Sequence, residues 1–348
     1  MRTLKKIALP AVLSLCGISA PWAAAHAAEG VNNFGAYGEL HYANVPAPGV
    51  NGDELIDFHR FVLFFGHEFS DTIQFYSEVE LEHAYAGEDE PGEVELEQAY
   101  LQFQLNDLFS ASTGVFLVPV GIINETHEPN TFYGVERNPV ESRIIPSTWR
   151  EAGVMLTGTL PDVGLRYDLA YHTGLDEGAN IRSGRQNAAK AEAENKAATA
   201  RVKYTAIPGL ELAASAQYQS NLDQIKGGVD EAVLLESHVI WRVGSWDLRA
   251  LYAMWDISGD PGMPYLDQQQ GYYLEGSYKI TPQWGVFLRH NDLQYKRDGA
   301  GFELDEQQQN VGVNYWPHED VVLKADIQWQ NKDAGDANGF NLGLGYQF

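Results

Sequence analysis

From residue 30 onward the chain is written in alternation. In TIQFYSEVELEH, Ile73, Phe75, Val79 and Leu81 hold one parity, and Gln74, Tyr76, Glu78, Glu80 and Glu82 hold the other. In VVLKADIQWQ, Val321, Leu323, Ala325, Ile327 and Trp329 alternate with Lys324, Asp326, Gln328 and Gln330. Successive side chains of a strand point to opposite faces, so a period of two makes each segment a strand with one apolar and one polar face. GLRYDLAYH, DLRALYAMWD and GYYLEGSYKI repeat the pattern. So does GFNLGLGYQF, where Phe340, Leu342, Leu344, Tyr346 and Phe348 face one way and Asn341, Gly343, Gly345 and Gln347 the other.

The connections are of two kinds that take turns. Short ones fall at 69–71, 160–164, 206–210, 244–246, 281–284 and 317–320. Long ones, rich in Gly, Asp, Asn, Pro and Ala, fall at 43–53, 84–94, 120–150, 174–198, 220–230, 257–270, 296–306 and 332–339. Sixteen strands are predicted, at about 34–42, 55–68, 72–83, 95–105, 110–119, 152–160, 164–172, 199–206, 211–219, 231–243, 247–256, 271–280, 285–295, 307–316, 321–331 and 340–348. Most have the roughly 9–11 residues that a tilted strand needs to cross a bilayer. A sheet in lipid cannot leave an edge unpaired, so it must close. The fold class is therefore an all-β, 16-stranded antiparallel up-and-down transmembrane β-barrel, with tight turns at one end and large loops at the other. The last strand is expected to pair with FGAYGELHY, placing Phe348 in the outer apolar band. Trp246, Trp284 and Trp316 stand beside three successive short turns, where an interfacial aromatic girdle belongs. NAAKAEAENKAATAR (187–201) departs from the pattern. Its Glu192 and Lys196 are spaced to pair on a helix, and it reads as a short exposed helix or a disordered loop.

The start of the chain is different. Arg2, Lys5 and Lys6 precede an apolar stretch from Ile7 to Ala20, and Ala25-His26-Ala27 offers small residues for cleavage. This is a secretory signal peptide, residues 1–27, with the barrel domain at 28–348. Cutting there removes Cys16, the only cysteine, so the exported protein uses no disulfide. It also removes three basic residues and no acidic one, leaving 20 against 48, a net charge of −28. Such a charge excludes nucleic acid as a partner. At 44% hydrophobic the chain is too polar for a helical membrane bundle.

The third long connection stands apart. It has about thirty residues and carries Phe132, Tyr133, Ile144, Ile145 and Trp149 together with Arg137, Arg143 and Arg150 amid acids. Long loops are functional or disordered, and this aromatic content argues against disorder. Folded into the aqueous lumen of a 16-stranded barrel, it narrows the passage; the alternative is packing over the outer rim. Arg137, Arg143, Arg150, Glu136 and Glu141 are the candidate constriction residues. Alternation places Arg60, Arg166, Arg201, Lys203, Arg242, Arg249, Lys279, Arg289 and Lys324 on the lumen wall. The inward acids are Glu39, Glu78, Glu80, Glu82, Asp168, Glu211, Glu236, Asp247, Glu275 and Asp326. Glu78, Glu80, Glu82 and His83 read as charged wall in preference to a metal site, and the ten histidines show no zinc spacing. No cofactor is implied, and no serine neighbour of His127, His172, His238 or His290 stands out in sequence as a hydrolase would need.

FLVPVG followed by ETHEPNTFYGVERNPVESRIIPSTWREAGVMLTG resembles the phosphate-selective porins (porins O and P) and their general-porin relatives. The likeness is strongest over roughly 95–175. It implies a homotrimeric channel of the bacterial outer membrane, in contact with lipid and lipopolysaccharide, with an inward constriction loop. Phosphate selectivity in that family rests on a lumen crowded with Arg and Lys. Here inward acids match the basics, so phosphate specificity is not carried over. Tyr346 and Phe348 resemble the signal read by bacterial barrel-assembly machinery. The expected function is passive diffusion of small hydrophilic solutes. The alternatives are a channel specific for a small anion such as phosphate and, from another class, a barrel enzyme or adhesin.

Overall fold

The computed structural model describes residues 30–45, 54–176, 180–222, 224, 231–258, 267–297, 302–332 and 336–348. The signal-peptide reading of 1–27 and the central parts of several long connections lie outside the described residues.

Sixteen strands follow one another: β1 (Asn32–Asn44), β2 (Glu54–Ser70), β3 (Ile73–Glu82), β4 (Val94–Asn106), β5 (Phe109–Leu117), β6 (Arg150–Leu160), β7 (Leu165–His172) and β8 (Ala197–Tyr204). The second half is β9 (Leu210–Gln219), β10 (Glu231–Val243), β11 (Trp246–Ser258), β12 (Gln268–Lys279), β13 (Trp284–Arg297), β14 (Phe302–His318), β15 (Val321–Lys332) and β16 (Gly339–Gln347). Each pairs antiparallel with its sequence neighbours, and β1 pairs with β16, so the sheet is a closed barrel. The seam runs from Tyr37 opposite Gln347 to Asn44 opposite Phe340. It extends one residue further, because Ala36 and Phe348 exchange both backbone hydrogen bonds at 2.9 Å. The Phe348 side chain points out of the barrel.

The apolar parity forms the outer band. Val154, Leu169, Leu274, Leu288, Ile327 and Leu342 are all exposed on the barrel's outside, as a surface solvated by acyl chains requires. At the short-turn end, Trp246 packs on Tyr278 with ring centres 4.8 Å apart, and Trp284 stacks on Tyr315 at 4.4 Å. These pairs make the girdle. Trp316 does not join it: the neighbour of outward Tyr315 must face inward, and it meets Tyr133 of the third loop edge-on at 5.6 Å.

Two other expectations change. Residues 187–196 form turns, with positive φ at Asn187, Ala188 and Lys190, and the next residue opens β8. No helix forms because Gln186 caps the segment from its side chain, its Oε1 accepting the Glu192 N–H and its Nε2 donating to the Glu192 carbonyl. The connection expected at 296–306 shrinks, because β13 and β14 stay in register out to Arg297 opposite Phe302.

Candidate functional site in the barrel lumen

Residues 118–149, between β5 and β6, fill part of the lumen; this segment is loop 3. Its two ends are held together. Val118 donates its N–H to the Trp149 carbonyl at 2.9 Å. Asn124 donates to the carbonyls of Val118 and Trp149 at 2.8 and 3.0 Å and accepts from Trp149 N at 2.6 Å. Pro139 then starts a single helical turn, Val140–Ile144, whose apolar residues pack with Trp149 against Leu251, Ala253, Trp255, Tyr273 and Leu293 of β11 to β13. These wall residues are inward-facing yet apolar, because a loop and not water covers them. Trp255 Nε1 donates to the Ile144 carbonyl at 2.8 Å, fixing the turn against the wall.

The loop's middle is docked further round the same side of the wall, on β15 and β16. Val135 N–H donates to Asp326 at 2.8 Å. A Cβ on Gly343 would lie 3.1 Å from Val135, and one on Gly345 would lie 2.5 Å from Pro129. The small inner face of β16 is thus the bed of loop 3. Arg289 donates to the carbonyls of Tyr133 and Glu136 at 3.3 and 3.2 Å, and Arg249 to that of Thr131 at 3.1 Å. The Lys324 ammonium sits 3.7 Å from the centre of the Phe132 ring. At the loop's start, Arg201 holds Glu125 at 3.0 Å and also Asp168. Burial alone would raise the Glu125 carboxyl, but Arg201 and Lys203 outweigh it and hold it down at about 2.

The five candidate constriction residues therefore separate. Glu141 is fully buried: it accepts from Ile122 N, Ile123 N, Asn138 and the Tyr273 hydroxyl, so it clamps the loop and does not line water. Arg150 is buried against Glu95 at 2.6 Å and Glu97 at 3.9 Å. Arg143 is half-exposed and paired with Glu306. Arg137 donates to Thr148 Oγ1 at 3.0 Å, and its Nη2 has no hydrogen-bond partner among the described residues. Glu136 has a side chain 47% open to solvent and bonded to His41 at 2.8 Å; desolvation by the surrounding loop and wall would raise its carboxyl, but His41 outweighs it and holds it down at about 2.

The wall residues follow alternation, with their charges spent locally. Arg60 pairs with Glu39 at 2.7 Å and Glu80 at 3.4 Å, Arg166 with Asp168 at 3.1 Å, and Lys203 with Glu211 at 3.1 Å. Arg242 and Arg249 share Asp247, Arg289 meets Glu275 at 3.4 Å, and Lys279 lies over Trp316 at 4.5 Å. Glu78 accepts from Gln98, and Glu82 is half-buried at the end of β3. At the other end of the sequence, Tyr346 and Phe348 both lie on the outward parity of β16 and so take no part in the lumen.

Four charged residues escape the sequence reading. Glu95 and Glu97 face inward because a bulge shifts the β3–β4 register between Glu78 and Val79. Arg182 and Arg185, in the fourth long connection, lie on loop 3. They donate to carbonyls of Ser142, Ser147, Pro146 and Thr148, with no carboxylate partner among the described residues. Burial and each other's charge push the Arg182 guanidinium below its ordinary value, with Arg137 adding to the effect. On the short-turn side of loop 3 a cavity of about 1010 Å³ opens, lined by Glu125, Tyr133, Lys203, Arg242, Asp247, Lys279 and Trp316 among others. The arrangement is a wide aqueous vestibule ending at a packed loop.

A profile of the family described as phosphate-selective porin O and P matches residues 34–339. An uncharacterized protein of Aquifex aeolicus (strain VF5) is 30% identical over 351 residues, covering 91% of this chain and 80% of that protein. Among solved structures, OmpF of Salmonella typhi in complex with daunomycin matches with a TM-score of 0.66 at 13% identity, over 91% of this chain and 97% of that one. The outer-membrane channel DcaP of Acinetobacter baumannii matches with 0.64 at 15% identity, over 92% and 98%. The trimer form of OmpT of Vibrio cholerae matches with 0.64 at 12% identity, over 92% and 100%. At such identities the structural likeness is one of fold.

Proposed function

The chain belongs to the phosphate-selective porin O and P family, and on that footing we propose that this member is a weakly selective diffusion pore whose narrowest passage is set by loop 3. The protein is a porin of the bacterial outer membrane, a passive channel; family and fold are those of a non-enzymatic pore. The observation that carries the weak selectivity is the local pairing of the lumen wall. Arg60, Arg166, Arg201, Lys203, Arg242, Arg249 and Arg289 each meet a carboxylate within 4.0 Å. Paired charges leave little net field for ions to read, while they order water and slow apolar solutes. Glu136, Arg137 and Arg143 are the loop side chains that meet the permeating solute.

A second reading is favoured by one observation: Arg137, Arg182 and Arg185 have no carboxylate partner in hydrogen-bond contact among the described residues. Three guanidinium groups, one in the loop and two against it, would draw anions into the passage. The test for both readings is a planar-bilayer recording with reversal potentials in asymmetric KCl. A near-zero reversal potential supports the first reading, and a clear anion potential supports the second. Absence of ion steps would overturn both.

The working form we propose is a homotrimer, supported by the trimer form solved for the Vibrio cholerae relative. Export by cleavage after Ala27 leaves the barrel domain at 28–348, with outer-membrane lipid and lipopolysaccharide around it. Tyr346 and Phe348 present the aromatic signal for barrel-assembly machinery, supported by their outward parity on β16.

A further inference from the structure

We propose that Glu78 of β3, Glu97 of β4 and His127 of loop 3 form a site for one divalent transition-metal ion, which pins the loop to the barrel wall. The three residues are buried, at 4%, 1% and 2% exposure, and one ligand atom from each lies within 4.8 Å of the others.

The first support is the imidazole's tautomer. His127 Nδ1 lies 3.2 Å from the Asn124 carbonyl oxygen, so Nδ1–H is donated there and Nε2 is left with its lone pair. A backbone carbonyl holding the far nitrogen is how metal-ligating imidazoles are oriented. The second is spacing. His127 Nε2 and Glu97 Oε2 are 3.6 Å apart, and neither has a hydrogen-bond partner among the described residues although both are buried. That gap is too long for a hydrogen bond. Two ligand atoms each at about 2.0–2.2 Å from a shared zinc, at a near-tetrahedral angle, sit roughly 3.3–3.6 Å apart. The third is the backbone. Glu97 is the extra residue of the β3–β4 bulge, which turns it and Gln98 together toward the lumen. Gln98 then donates to Glu78 and orients that carboxylate.

Neighbouring cations leave the gap clear. Arg150 approaches the other oxygen of Glu97, Oε1, at 3.9 Å, and Arg60 is taken by Glu39 and Glu80. The second histidine cluster, Asp57, His59 and His83, is different: its members hydrogen-bond each other, and Arg60 lies 2.8 Å from His59 Nε2. One imidazole with two carboxylates suits Zn²⁺, Mn²⁺ or Fe²⁺. Among such ions Zn²⁺ is the probe for affinity and Co²⁺ the probe for coordination.

The test uses the full folded barrel in detergent, stripped with a chelator and desalted. Zn²⁺ is titrated by calorimetry and Co²⁺ by visible absorption. One equivalent per chain is expected, with ligand-field bands of low-coordinate Co²⁺. His127→Gln and Glu97→Gln should weaken Zn²⁺ binding by at least about tenfold, while His83→Gln leaves it unchanged. Folding of each variant is read from heat-modifiable electrophoretic mobility. If one variant fails to fold, the other and the wild-type stoichiometry decide. No binding to the folded wild type overturns the site and leaves His127 and Glu97 as a protonated ion pair. Binding that survives His127→Gln but is lost in His83→Gln overturns it in favour of the Asp57 cluster.

Discussion

Arg143 of loop 3 and Glu306 of β14 form a two-pronged ion pair, with one guanidinium nitrogen 2.7 Å from each carboxylate oxygen. It joins the last turn of the loop's helical segment to the wall and leaves the arginine 38% exposed. The arginine is half-exposed and screened by water, and the buried Glu306 keeps the Gln330 amide as a donor when the guanidinium is removed, so the loss is about 1 kcal/mol. Arg143→Ala should therefore leave barrel thermal stability almost unchanged while the loop's tip moves more freely. Single-channel recordings should show added open-state noise. A trace with wild-type noise would show that this pair does not restrain the loop.

The apolar side of the loop is the stronger anchor. Trp255 is fully buried against Trp149, with ring centres 6.1 Å apart, and bonds the Ile144 carbonyl. Trp255→Ala removes both packing and that bond, at a cost of about 3–5 kcal/mol. The barrel should still close, because its strand pairing is untouched, but conductance should rise and protease should reach residues 140–145. Wild-type conductance with a protected loop would contradict this.

The sixteen strands were legible because alternation is enforced twice, by lipid outside and water inside. Legibility fails where a third environment enters. Glu141 reads as a pore acid because it sits among arginines, yet it satisfies two buried backbone N–H groups. Leu251, Trp255 and Tyr273 face inward and are apolar, so parity alone does not announce that a loop covers them. Glu97 is hidden by a bulge, which breaks the period of two. Trp316 lies beside a short turn like Trp246 and Trp284, but one step in parity sends it to the lumen. Arg182 and Arg185 stand just before the Ala-rich segment 187–201, in a long connection whose composition assigns them no role, and only the fold brings them onto loop 3.

The Glu125 anchor sets an acid limit. Its folded-state carboxyl is held at about 2, below its ordinary value. Such a group contributes stability that is fully present above the unfolded value, about 4.3, and is lost as pH falls through about 2. Conductance and noise should be flat from pH 7 to about 5, then change between about pH 4 and 2. Glu125→Gln should show the acid-side behaviour at pH 7 and lose that part of the pH dependence. A variant with the wild-type profile would remove Glu125 from the anchor.

On the second reading, Arg137, Arg182 and Arg185, which have no carboxylate partner among the described residues, set the sign of the selectivity. Replacing Arg137, Arg182 and Arg185 together with alanine should move the reversal potential toward cations. The shift should grow as salt falls, since the screening length lengthens from about 8 Å at physiological strength to about 30 Å at 0.01 M. Loss of the loop contacts made by Arg182 and Arg185 is controlled by lysine replacements, which keep the charge. An unchanged reversal potential in the alanine variant places these side chains outside the ion path.

The claim on which the rest depends is that loop 3 lies inside the barrel while the channel conducts. The chain's only cysteine is Cys16, so a pair introduced by V135C and G343C has no competitor but Cys16. A Cβ at 343 lies 3.1 and 3.3 Å from the two methyl carbons of Val135, which suits the Cβ separation of about 3.5–4.5 Å that a disulfide needs. The measurement is single-channel conductance of this variant before and after reduction in the same bilayer. The bridge should form during folding, and the oxidised channel should conduct at the wild-type level with no step on reduction. An oxidised channel that is closed until reduced, or a pair that never bridges in a correctly folded barrel, would place the conducting loop elsewhere.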